Sequence, residues 1–165
     1  NGPVRSENGF EQLDKNATTG AIDNTYYFIR HGRTSAVGCV QNSDSIVNFT
    51  QPANTLITAI EILCTVAPTI GSGGDIGYEV GSTSSGSDIV AAQTDEILDG
   101  GTTVVVGNVT RTTLAYPTQD TTTAVVSPMY TASERTVYCN LTTSDVAVTT
   151  AGSFVFLIDF KDLPS

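Results

Sequence analysis

The chain has 165 residues, 39 % apolar and 15 % charged, with a formal net charge of −10. That length suits a single domain with its own core. The acidic balance gives no cationic footprint for nucleic acid and disfavours an anionic membrane surface, so neither is expected as a partner.

Thr occurs 26 times, and a composition so rich in this β-branched residue and in turn formers points to an all-β fold. Residues 1–24 are polar and turn-rich, with Asn1-Gly2-Pro3, Asn8-Gly9 and the stretch from Asn16 to Gly20. They read as an extended N-terminal arm, with Phe10 and Leu13 as its anchors to a neighbour. Residues 25–165 read as one β-sandwich domain. The first clear strand is Tyr26–Arg30, followed by Val37–Val40, Ser45–Thr50 and Leu56–Val66. In the last of these Ile60, Ile62, Cys64 and Val66 alternate, which marks one buried face.

Gly71-Ser72-Gly73-Gly74 reads as a hairpin connection into a strand over Ile76–Val80. After the polar turn Ser82–Ser87, Asp88–Leu98 reads as the one short helix. Strands are then expected over Thr102–Thr110, more weakly near Thr122–Val126, and over Arg135–Thr142 and Ser153–Phe160. In Arg135–Thr142 the inward phase is Val137, Cys139 and Leu141; Thr136, Tyr138, Asn140 and Thr142 face outward. Phe154, Phe156, Ile158 and Phe160 form one face of the last strand, and Val155 and Leu157 make the other apolar too. Such a strand is central in its sheet or covered by another subunit. Short strands at a spacing of roughly 10 to 15 residues predict an antiparallel β-sandwich, of jelly-roll type. The longest apolar run, Phe154–Ile158, is far below the roughly 20 residues of a membrane-spanning helix.

Phe28-Ile29-Arg30-His31-Gly32-Arg33-Thr34 matches the R-H-G-x-T signature of the histidine phosphatase superfamily. That chemistry needs a second His and further Arg to neutralise the transferring phosphoryl group, and the chain has one His in all. The same shortage removes a Ser-His-Asp triad. Asp95, Glu96 and Asp99 read as a solvated face rather than a glycosidase pair. Asp75, Asp88, Asp95 and Asp99 lack calcium-loop spacing, and Gly71–Gly74 has no following Lys to make a phosphate cradle. Cys39, Cys64 and Cys139 lack metal-ligand spacing and read as buried thiols, with a Cys64–Cys139 disulfide as the alternative. No catalytic, cofactor-binding or metal-binding residue is therefore expected.

Between Arg33 and Arg111 lie eight acidic residues and no basic one. Arg5, Lys15, Arg30 and Arg33 gather in the first 33 residues. Arg5, Phe10, Leu13, Arg30, His31 and Arg33 are the candidate partner contacts, the last three as a basic turn at a strand end.

The segments ITAIEILCTVAPT, GYEVGSTSSGSDIVAAQT and DEILDGGTTVVV, with the C-terminal SERTVYCNLTTSDVAVTTAGSFVFLIDF, resemble in layout small β-sandwich virion proteins of tailed bacteriophages, particularly marine cyanophages. The resemblance covers about two-thirds of the chain. It implies a strand entering a short helix after the Gly/Ser/Asp turn, a closing C-terminal hairpin whose last strand crosses the core, and no catalytic residues. It also implies a trimer on the capsid exterior that contacts the major capsid protein or another virion protein, as a capsid decoration or cement protein does. A phage fibre, knob or receptor-binding module is the alternative; Tyr78, Tyr116 and Tyr130 would be its aromatic contacts.

Overall fold

A computed structural model describes residues 11–15, 22–27, 29–39, 43–70, 74–98, 103–115, 127–144 and 148–163. In chain order the strands are β1 (Glu11–Lys15), β2 (Ile22–Tyr27), β3 (Ile29–Arg33), β4 (Val37–Gly38), β5 (Ser45–Gln51), β6 (Thr55–Val66) and β7 (Thr69–Ile70). They continue with β8 (Asp75–Gly81), β9 (Val90–Leu98), β10 (Val109–Arg111), β11 (Tyr130–Thr131), β12 (Arg135–Ser144), β13 (Val148–Thr150) and β14 (Ser153–Asp162). No described residue is helical.

The fold is an antiparallel β-sandwich. One sheet of six strands runs β10-β6-β14-β3, with β11 also on β6 and β4 also on β14. The other runs β5-β12-β8-β9. Within these sheets β3 pairs with β14, β5 with β12, β6 with β10, and β8 with β9. The eight strands are thus nested, first with last and inward to the middle pair, as in a single ribbon folded double. One core takes Ile57, Ile60, Ile62, Phe154, Phe156 and Ile158 from the first sheet, and Ile76, Val80, Val137, Cys139 and Leu141 from the second. β14 is central, as its two apolar faces require: Phe154, Phe156 and Ile158 are buried inside, and Val155 is buried on the outer side.

Several expectations are corrected by the pairing. Asp88–Leu98 is not helical, because Val90–Leu98 is strand β9 on the edge of the four-stranded sheet. Its register on β8 runs Ile76 to Leu98, Tyr78 to Gln93 and Val80 to Val90, so the surplus residues are taken up as bulges. Bulges and acidic residues are common on such edges. In the valine run expected as strand over Thr102–Thr110, the described residues 103–108 are not strand and β10 begins at Val109, because Gly107 has φ of 90° and the Asn108 side chain accepts from Val105 N–H at 2.8 Å. This closes a turn that leaves Val105 and Val106 exposed.

Gly71–Gly73 lie outside the described residues, but β7 and β8 on either side belong to different sheets, so the connection is not a hairpin. The C-terminal pair is not a hairpin either, since β12 and β14 lie in opposite sheets. The stretch near Thr122–Val126 lies outside the described residues. In the segment read as an extended arm, β1 pairs with β2 as a ribbon separate from both main sheets.

Candidate docking surface

Arg30, His31 and Arg33 form no turn. They lie in β3, at the edge of the six-stranded sheet, where regular pairing with β14 continues the backbone as strand. The register sets Arg30 against Phe160, His31 against Asp159 and Arg33 against Leu157. Directly opposed residues project to the same side of a sheet, and the contact of His31 with Asp159 and of Arg30 with Phe160 follows from this register. His31 Nδ1 lies 2.6 Å from Asp159 Oδ1. The Arg30 guanidinium pairs with Asp162 and stands 5.1 Å from the centre of the Phe160 ring, within cation–π range. Two of the three basic groups therefore already meet carboxylates of their own chain.

Arg33 is exposed and makes no ion pair among the described residues. It borders an open depression of about 350 Å³ that Thr34, Ser35, Ala36 and Val155 complete. The depression exists because the chain leaves β3 at Thr34, which donates its N–H to Phe156 O at 3.0 Å and accepts from Phe156 N–H at its hydroxyl. Arg5 and Phe10 lie outside the described residues. Leu13 is in β1, apart from the β3 cluster in strand pairing.

Composition alone did not find Arg111. It sits on β10, and its guanidinium pairs with Glu61 at 2.9 Å. Only the register reveals that Arg33, Leu157, Glu61 and Arg111 are successive cross-strand neighbours over β3, β14, β6 and β10. The two arginines that bound the stretch without basic residues thus belong to one row of one sheet.

The other polar clusters hold the fold together. Gln51, fully buried, donates to Thr55 O and Met129 O at 3.1 and 2.9 Å and accepts from Arg135 Nε at 3.0 Å. Arg135 also donates to Pro128 O. Desolvation lowers the Arg135 pKa, and nearby Asp88 partly offsets this. Asn140, expected to face outward, is buried at 2 % exposure. Its amide donates to Glu79 and to Ser84 O at 2.8 and 3.1 Å, which ties the loop after β8 down onto the sheet. Asp88 ties the same loop by accepting from Ser82 N–H and from its hydroxyl.

Cys39, Cys64 and Cys139 are free and buried, so the Cys64–Cys139 bond is absent. Burial pushes the Cys39 and Cys139 thiols up to about 12; Cys64 is raised for the same reason. Neutral buried thiols are poor nucleophiles. Of the three tyrosines named for a receptor contact, Tyr78 is buried, Tyr130 half-buried and Tyr116 outside the described residues.

Comparison of the chain with family models, with curated proteins and with solved structures finds no match.

Proposed function

We propose that this chain is a structural virion protein, a capsid decoration or cement protein that docks on the shell exterior and contacts the major capsid protein. It acts by burying surface between shell subunits. Interfaces of ordinary size bury about 1,600 Å² in total, and apolar burial at about 25 cal/mol per Å² strengthens a joint without any reaction. The observation that carries this reading is the nested pairing of the eight strands, β3 with β14, β5 with β12, β6 with β10 and β8 with β9. We read that order as the strand order of a jelly roll, an architecture common among viral shell domains. Fold alone does not assign function; the resemblance of the sequence segments to phage virion proteins, whose implied short helix and closing hairpin are replaced here by strands of the two sheets, and the gathering of basic residues before Arg33 supply the rest. Arg33, exposed on the edge strand that follows the N-terminal ribbon, is the contact we assign to the docking side, with Arg5, Phe10 and Leu13 in the segment before it.

The receptor-binding alternative relies on a tyrosine platform, and Tyr78 is buried in the core.

Sedimentation of the full chain with empty shells of its virus tests the reading. The chain is expected to pellet with shells, and removal of residues 1–24 is expected to abolish pelleting while cooperative melting persists. A full chain that stays in the supernatant overturns the reading; full occupancy without residues 1–24 overturns the role given to that segment.

A further inference from the structure

The charged side chains sort by sheet. Among residues whose side chains the structure describes, the six-stranded sheet carries Arg30, Arg33, Arg111 and Lys161 against Glu61, Asp159 and Asp162. The four-stranded sheet and its flanking turns carry Asp44, Asp75, Glu79, Asp88 and Glu134 against Arg135 alone. The Arg135 guanidinium is turned to Gln51 and Pro128. Within its strands the six-stranded sheet thus has an excess of one positive charge and the four-stranded sheet of one negative charge, with His31 taken as neutral; Asp44, Asp88 and Glu134, in the turns that lead into β5, β9 and β12, bring the latter to four.

The sorting extends to single rows. Arg33, Leu157, Glu61 and Arg111 cross the six-stranded sheet; at about 4.8 Å per strand the two arginines stand about 14 Å apart. Beside them Val155, Leu63 and Val109 form an apolar row, and Val109 is 52 % exposed. Across the four-stranded sheet the row is Ile46, Asn140 and Glu79, with Ile46 49 % exposed. Each outer face therefore offers an exposed apolar side chain, Val109 on one and Ile46 on the other, among charged groups of opposite sign; over Asn140 the four-stranded face is covered by the loop that follows β8.

We propose that copies of this chain associate head to tail, the outer face of the six-stranded sheet of one copy against the outer face of the four-stranded sheet of the next. The complementary charge lies on the molecule itself, so the partner is a second copy. Two four-stranded faces brought together would set acid against acid, and that like-charge opposition disfavours a two-fold dimer through this sheet. A heterologous contact of this kind closes into a ring or continues as an open chain. The inference does not depend on the virion reading; where both hold, Arg33 serves the contact between copies, and Arg5, Phe10 and Leu13 are left for the shell.

Sedimentation velocity of the full chain over a concentration series tests it. Self-association is expected at about 0.1 M salt and is weaker at about 1 M, where the screening length falls from about 10 Å to about 3 Å. Arg33→Glu/Arg111→Glu reverses one face and Asp44→Lys/Glu134→Lys the other. All four residues are exposed, so the fold is expected to survive, as checked by an unchanged melt. Each double variant alone is expected to self-associate at least about tenfold more weakly. Mixed in equal amounts they are expected to form heterodimers, because the intact acidic face of one meets the intact basic face of the other. A wild-type monomer at every concentration and salt overturns the proposal. So does self-association unchanged in both variants, or a mixture without heterodimer.

Discussion

Replacing Gln51 by Leu removes the centre of the buried polar joint where β5, β6, β11 and β12 meet. Gln51 is fully buried and makes three hydrogen bonds, to Thr55 O, Met129 O and Arg135 Nε. Met129 O keeps the N–H of Ile57 at 3.1 Å, so the loss falls mainly on Arg135, a half-buried cation left short of an acceptor. A hydrogen bond to a charged group is worth about 1.5–3 kcal/mol, and stranding a buried polar group adds about 1–3 kcal/mol. Gln51→Leu should therefore lower the unfolding free energy by about 3 kcal/mol. For a chain of this size that is a fall in Tm of about 6–12 °C. Denaturant unfolding followed by circular dichroism reads both.

Arg135→Met should cost about 2–3 kcal/mol by stranding Gln51 Oε1 and Pro128 O. The double variant, apolar on both sides, should cost less than the sum by about 1–2 kcal/mol. A Gln51→Leu protein within 1 kcal/mol of wild type, or a strictly additive double variant, would refute the reasoning.

Phe156→Ala should cost about 3–5 kcal/mol in the same assay, because Phe156 is fully buried on the central strand β14; a loss below 1 kcal/mol would contradict that placement. Gly81→Ala should cost about 1–3 kcal/mol and loosen the loop over 82–88, since its Cβ would stand 2.6 Å from Gly86 Cα; hydrogen exchange across the loop is the check. Cys139 has a folded-state pKa of about 12 against 9.0 for the ordinary thiol, so its contribution is fully present below pH 9 and is lost as pH rises toward 12. Unfolding free energy should fall across that window by up to about 1.4 kcal/mol per pH unit from Cys139, and a flat profile would contradict the burial. At pH 8, iodoacetamide should label the three thiols only after denaturant is added, as mass spectrometry would show.

The strongly alternating segments were legible in the sequence. Ile60, Ile62 and Cys64, and Phe154 through Phe160, each show an apolar phase that tertiary packing uses, but Val66, read as the end of the first of these buried faces, is 48 % exposed where β6 runs out past the core. Asp88–Leu98 was not legible. Its acidic, alanine-containing stretch satisfies local helix preference, and only pairing with the preceding strand β8, in an irregular register, makes it a strand. The Val104–Val106 run misled in the opposite way: β-branched residues favour strand, but Gly107 and Asn108 form a turn at once. Asn140 read as outward by strand phase because nothing local shows that the loop after β8 folds back over it. In the candidate surface, Arg33 was visible as part of a basic cluster. Its partnership in a row with Arg111 depends on register across four strands, which neither spacing nor composition encodes. The pairing of Arg30 with Asp162 and His31 with Asp159 joins residues more than 120 positions apart in the chain, and it left Arg33 as the exposed member.

The most direct test of the virion assignment is electron-microscopic imaging of intact virus particles labelled with an antibody against this chain. The account predicts label over the whole exterior of the shell, in many symmetry-related copies. Particles without label, or label confined to a tail tip, would contradict it.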